Sequence, residues 1–252
     1  MRKKAWAIEL FHLAFMQVAA ATLPPGEHAL KGGGNLRFFL RSGRRSGDLE
    51  LDYLGHGFAG SAKRMGRLLK GPALKKLLAL HDIQVLDIHL RKDTATVKRW
   101  MFRLVRPGME DATSKIEFSN RGSSGEALVE QADTDLARKP GGIAVRFNHY
   151  PPATAIEQKV LALVGRTETE PRDVFDLDHL LRQFPDALAR ADLERNRTGR
   201  AADIAEHISY ESYRDLVVPY LEEDIVDLYR SAKAWQSMQL HVSTQLRARV
   251  AV

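Results

Sequence analysis

LKGGGNLRFF, residues 30–39, followed closely by RRSGDLELDY, residues 44–53, is the stretch that most restricts how this chain can fold. Three consecutive glycines interrupt any regular element and read as a corner between a short strand, HALK, and a brief helix, NLRFFLRS. DLELDYLG then alternates acidic and apolar residues strictly, the period of a strand with one buried face. Leu49, Leu51 and Tyr53 take the core side, so Asp48, Glu50 and Asp52 form a row of carboxylates on the other. Such a row repels itself unless it is solvated, paired with basic groups, or bridged by a hard divalent ion such as Mg²⁺ or Mn²⁺. The glycine corner beside it lets backbone N–H groups approach phosphate oxygens, with the helix dipole favouring the anion.

The rest of the chain sets that stretch in an α+β architecture. IQVLDIHLRKD, ATVKRWMFRLVRP and SKIEFS are β-type segments with turn residues between them, and IAVRFNHYPP reads as a last strand. A basic helical region, GSAKRMGRLLKGPALKKLLALHD, is broken at Gly71 and Pro72; its cations read either as a solvated face or as a surface for phosphates. The polar interval from Arg121 to Pro140 reads as a surface insertion or loop. From Thr154 onward nearly everything is helical, so a lobe of residues 1–152 with a mixed sheet is expected to precede a helical lobe of residues 153–252.

Composition narrows the chemistry. The chain has 252 residues and no cysteine, which excludes disulfides, thiolate metal sites and cysteine nucleophiles; any metal must bind through oxygen or imidazole. The formal net charge of +6 favours polyanionic partners. MRKK followed by AWAIELFHLAFMQVAAATLPP imitates a secretory signal, but Glu9, His12 and Gln17 interrupt it, and the spacing of Ile8, Leu10, Phe11, Ala14, Phe15 and Val18 suits a helix packed on a core. No membrane span and a cytoplasmic location are expected. His149, His179 and His207 share no ligand spacing; Trp100, Phe102 and Trp235 read as core, and the C-terminal tyrosines as packing residues before a base-stacking platform.

The glycine corner and the Arg-x-Ser-x-Asp-x-acid strand together resemble the first motif of the AbiEii/AbiGii type IV toxin nucleotidyltransferases, members of the DNA-polymerase-β-like superfamily that includes MenT-like toxins. The resemblance carries to Gly32, Gly33, Ser46, Asp48 and Glu50, with one departure: Glu50 stands where the family has aspartate, leaving Asp52 as an alternative ligand. A second motif of that family, a helix with a lysine, a loop, and Arg-Asp-x-x-Asp-Leu opening another helix, matches Lys159, Arg172, Asp173, Asp176 and Leu177.

The resemblance implies a polymerase-β-like fold and a Mg²⁺-dependent enzyme moving a nucleotidyl group from an NTP to an RNA acceptor, the tRNA 3′ end in some relatives, in a toxin–antitoxin or phage-defence setting with a cognate antitoxin. Asp48 and Glu50 would hold the metal, with Glu117 a candidate third acid; Gly32, Gly33, Ser46, Lys159 and Arg172 would bind the nucleotide, and Asp173 would orient Lys159 or the acceptor. From the residues alone, Lys159 also reads as a surface lysine, and Asp173 and Asp176 as carboxylates capping a helix start. Replacing Lys159 is expected to abolish transfer and leave the melting temperature nearly unchanged. Nucleotidylation of a protein acceptor and a non-catalytic nucleotide- or RNA-binding module are the alternatives.

Overall fold

The computed structural model describes residues 2–24, 26–122, 125–133, 135 and 142–251. The chain divides into two compact units, the first made of residues 1–39 and 46–150, the second of residues 40–45 and 151–252. The hexapeptide Leu40–Arg45, which the sequence reading left in the first lobe, clusters with the helical one.

In the first unit, helix α1 (Arg2–Thr22) leads through the Pro24 turn into β1 (His28–Lys31), α2 (Gly32–Phe38) and β2 (Asp48–Tyr53). Helices α3 (Phe58–Lys70) and α4 (Pro72–Ala79) follow, then β3 (Gln84–Asp93), β4 (Val97–Val105), β5 (Ala112–Ser119), β6 (Leu128–Gln131) and β7 (Arg146–His149). The seven strands form one mixed sheet in the order β3-β4-β5-β2-β1-β7-β6. Strand β2 runs antiparallel to β1 and parallel to β5, which makes it the centre of the sheet.

Alternation decides the two faces. Leu49 and Leu51 of β2, Ile116 and Phe118 of β5 and Phe102 and Leu104 of β4 are buried on one side, in a core shared with Leu10, Phe11, Ala14 and Phe15 of α1 and Met65, Leu68, Leu74 and Leu78 of α3 and α4. Helix α1 is long and apolar enough to cross a membrane by length and composition, yet its apolar residues are core of this unit. One buried ion pair, Arg37 Nε to Glu9 at 2.5 Å, accounts for the acid that interrupts α1's apolar run. The polar interval after Arg121 holds an element that the sequence reading missed: β6 pairs antiparallel with β7 along Leu128–Gln131. All four of its residues are exposed at the sheet edge, so it shows no alternating pattern. Residues 123, 124, 134 and 136–141 of that stretch lie outside the described residues.

The second unit is helical: α5 (Pro152–Gly165), α6 (Pro171–Gln183), α7 (Ala187–Arg190), α8 (Arg195–His207), α9 (Tyr210–Leu216), a 3₁₀ turn at Val218–Tyr220, α10 (Glu223–Tyr229) and α11 (Ala232–Ala251). Pro152 and Pro171 open α5 and α6 at positions where a helix needs no N–H donor. Trp235 stacks on Tyr213 with centroids 4.3 Å apart, which makes both part of the packing. The hexapeptide is fastened here by backbone bonds from Arg45 N to Tyr220 O and from Glu222 N to Gly43 O, both 2.9 Å, and by His179 Nε2 donating to Leu40 O at 2.7 Å.

Candidate active site

In the first unit the glycine corner and the acid strand meet. Gly32 begins α2 with φ +64°, a left-handed conformation that glycine alone adopts cheaply, and a Cβ there would lie 2.5 Å from Glu50 Oε2. The extra methylene of Glu50, its departure from the family's aspartate, therefore carries its carboxylate over the space that Gly32 leaves free. Gly34 packs on the side chains of Leu49 and Leu30, so the corner is held against β2 by its own third glycine. The cap residue Lys31 makes no side-chain capping bond, which leaves the first-turn N–H groups around Gly33 without a side-chain acceptor.

The carboxylates are not equivalent. Asp52 is buried, bonded to Lys31 Nζ at 2.5 Å, Ser119 Oγ at 2.6 Å and Tyr150 Oη at 3.2 Å, which makes it a fixed part of the sheet. Asp48 and Glu50 are half-buried and face the same side. The parallel register sets Lys115 beside Asp48 and Glu117 beside Glu50. Lys115 Nζ is 2.8 Å from Asp48, and Arg99 on β4 binds Glu117 Oε2 through Nη2 at 2.5 Å and Nε at 2.8 Å. Asp48, Glu50 and Glu117 thus form a patch of three acids on neighbouring strands with two cations drawn to it.

Backbone carbonyls just ahead of the acids are held by hydroxyls. Ser46 Oγ donates to Asp48 O at 2.8 Å, and Ser114 Oγ donates to Gly47 O at 2.7 Å. Because the Ser114 proton is used there, its oxygen accepts from His12 Nε2 at 3.2 Å. Burial pushes the His12 imidazole down to about 3, so it is neutral and keeps that donor role across ordinary pH. His12 and Ser114 were not singled out from the sequence; their only signal was a polar residue in each of two apolar segments.

The second unit contains a buried ion cluster. Lys159 of α5 is 7% exposed, and its Nζ lies 2.9 Å from Asp173 Oδ1 and 2.6 Å from Asp176 Oδ2, both acids being fully buried on α6. Arg166 Nε binds the other Asp173 oxygen at 2.8 Å, and Arg44 grips Asp176 with Nε and Nη2, each at 2.8 Å. Burial would raise the Asp176 carboxyl, but Arg44 and Lys159 outweigh it and hold the group well below the usual carboxylate range. Burial would likewise lower the Lys159 ammonium, and Asp176 and Asp173 outweigh that to raise it. The capping expectation for Asp173 and Asp176 gives way to ion pairing, and the surface expectation for Lys159 to burial. Arg172 stands apart from the cluster, its Nη2 3.4 Å from Glu170, with much of the side chain in solvent. Arg44, the first residue of the Arg-x-Ser pattern, is the member that sequence reasoning passed over.

Whether these residues suit a divalent ion can be judged from the acid patch. Its donors are hard carboxylate oxygens, partly open to solvent and crowded enough to need positive charge, which fits Mg²⁺ or Mn²⁺. Among the described residues no three ligands are already gathered on one point, because Lys115 and Arg99 occupy two of the acids. Those two side chains would have to turn aside for an ion to bind.

A mixed sheet with an acid row beside a glycine corner defines a nucleotidyltransferase fold. Residues 18–249 match the family described as nucleotidyl transferase AbiEii toxin, type IV TA system, and the chain belongs to that family. It is therefore a toxin-family nucleotidyltransferase, with a nucleoside triphosphate as substrate and an antitoxin as the partner the family implies. Among solved structures, JHP933 from Helicobacter pylori is similar at 21% identity and a TM-score of 0.61, covering 98% of this chain and 92% of that one. MenT4, a nucleotidyltransferase toxin from Mycobacterium tuberculosis H37Rv, is similar at 14% identity and a TM-score of 0.59, covering 97% and 84%. No curated protein sequence matches significantly.

Proposed function

We propose that this chain transfers a nucleotidyl group from an NTP to the 3′ end of an RNA, a tRNA in the first instance, and so blocks translation in the cytoplasm until its antitoxin intervenes or as part of phage defence. The observation that carries the reading is that the Glu50 carboxylate fills the space a Cβ on Gly32 would need, which sets the glycine corner directly beside the acid row. Gly32 and Gly33 present backbone N–H groups to the outer phosphates. Asp48 and Glu50 would hold Mg²⁺, with Glu117 a third acid once Arg99 lets go; when bound, the ion would supply charge stabilisation at the α-phosphate and lower the pKa of the acceptor hydroxyl.

The protein's own groups set the geometry. Ser46 and Ser114 fix the carbonyls of Asp48 and Gly47, so the first acid of the row enters at one angle. Ser46 spends its proton on that bond, which favours a positioning role over a direct phosphate contact. Lys159, expected to bind the triphosphate, and Asp173, expected to orient Lys159 or the acceptor, would act instead as positioning residues: they complete the cluster that holds Arg44, two residues before Ser46 in the chain. Arg172, half-buried and weakly paired, is the residue of this motif best able to reach an anion. The basic charge of the chain favours an RNA acceptor over an acidic-poor protein surface.

Incubation with total RNA, Mg²⁺ and each α-³²P-labelled NTP, beside an Asp48→Asn control on denaturing gels, tests the proposal. A labelled band of tRNA size that vanishes in the control is expected. Label confined to protein would replace the RNA acceptor with a protein one, and no label with any nucleotide would contradict the reading.

A further inference from the structure

Helix α3 carries a feature that the acid patch does not use. Gly60, Lys63, Arg64, Arg67 and Lys70 recur at helical spacing along one stripe, opposite the buried Phe58, Met65, Leu68 and Leu69. That stripe, with Gly66 and Trp100, lines a groove of about 640 Å³. The groove is concave because two of its helix positions have no side chain; a Cβ on Gly60 would meet nothing within 4 Å, and one on Gly66 would lie 3.4 Å from Trp100 Nε1. Trp100 is 6% exposed, and its indole N–H has no hydrogen-bond acceptor among the described residues. Of the four cations, Arg64 alone has a carboxylate near it, Glu27 at 3.4 Å; Lys63, Arg67 and Lys70 are exposed with no acidic partner among the described residues.

A solvated helix face accounts for scattered lysines, but not for a groove that gathers four cations around an indole N–H with no acceptor among the described residues. Phosphate oxygens satisfy both: they pair with the guanidinium and ammonium groups and accept from the indole N–H. Four cations in a row along two turns match a run of phosphates better than one isolated anion. We propose that this groove binds the phosphodiester backbone of the RNA acceptor, at a distance from the chemistry. The proposal rests on the RNA reading above and adds to it a location.

Topology makes the location informative. Trp100 faces the helical side of the sheet, paired with Ile116, whereas its neighbour Arg99 faces the acid patch on the other side. The groove and the acids are therefore on opposite faces of the same sheet. An RNA using both must reach around it, so the groove selects for acceptors with a body as well as a 3′ end. A short 3′-terminal oligonucleotide reaches the acids alone.

The test uses the full chain and deacylated bulk tRNA labelled with fluorescein, titrated by anisotropy from 50 to 300 mM KCl. In Lys63→Gln/Arg67→Gln/Lys70→Gln the slope of log Kd against log [salt] is expected to flatten by about 2 to 3, with affinity at 100 mM KCl reduced at least tenfold. KM for tRNA should rise in parallel while kcat and KM for NTP stay constant, and a 3′-terminal tetranucleotide should be labelled equally by parent and variant. Lys75→Gln/Lys76→Gln on α4, which also removes exposed charge, should change the slope by much less; thermal melting verifies that both variants fold. Equal slopes and affinities for parent and groove variant would overturn the groove while leaving the RNA acceptor in place. A parent that binds no tRNA would overturn the RNA reading itself, and an α4 variant as impaired as the groove variant would reduce the effect to net charge.

Discussion

Replacing Lys159 by methionine keeps the aliphatic volume and removes the charge between Asp173 and Asp176. Breaking a buried ion pair by deleting one partner costs about 3–5 kcal/mol, because the remaining charge stays desolvated. Here neither acid is orphaned: Asp173 keeps Arg166 at 2.8 Å and Asp176 keeps both bonds to Arg44. The lower end of the range, about 3 kcal/mol, is therefore expected. At about 2–4 °C per kcal/mol for a chain of this size, the melting temperature should fall by about 6–12 °C. Circular dichroism melts of Lys159→Met beside Asp48→Asn measure this directly, since Asp48 is half in solvent and its loss should shift the midpoint by less than about 2 °C. If Lys159→Met melts within 2 °C of the parent and still loses transfer, the lysine serves substrate directly and the ion-cluster account is wrong.

Three further outcomes follow from the geometry. Gly32→Ala combines a strained φ, costing about 1–2 kcal/mol, with displacement of the Glu50 carboxylate; transfer should be lost with only a small fall in melting temperature, and an active Gly32→Ala would refute the contact's importance. The depressed His12 pKa means that the unfolded chain binds a proton that the folded one refuses, so stability should rise with pH from about 3 to about 6.5; urea unfolding at pH 4 and pH 7 should show a smaller difference in His12→Leu than in the parent. Glu117→Gln removes the third acid and frees Arg99; kcat should drop at least tenfold with the fold intact, and unchanged kcat in steady-state assays would remove Glu117 from the metal site.

Local pattern carried the acid strand, because alternation in DLELDY is itself the signature of a half-buried strand, and the glycines next to it demand a corner. The same logic was blind to Asp52, which looks like Asp48 in sequence and differs only because Lys31 of β1, Ser119 of β5 and Tyr150 just after β7 converge on it. The burial of Lys159 was illegible for a related reason: a lysine on an amphipathic helix has no local sign of burial until two acids from α6 face it. Arg44 was invisible because its hexapeptide is tied to Tyr220 and Glu222, far along the chain. Strand β6 was missed because edge strands exposed on both faces lose the period that reveals a strand.

The central claim is that Asp48 and Glu50 together make the ion-dependent NTP site. Isothermal titration of each of the four α,β-methylene NTPs, with and without Mg²⁺, into the parent and into Asp48→Asn/Glu50→Gln tests it most directly. The account predicts Mg²⁺-dependent binding of at least one nucleotide to the parent and none to the variant, at matched melting temperatures. Equal binding to both proteins would contradict it.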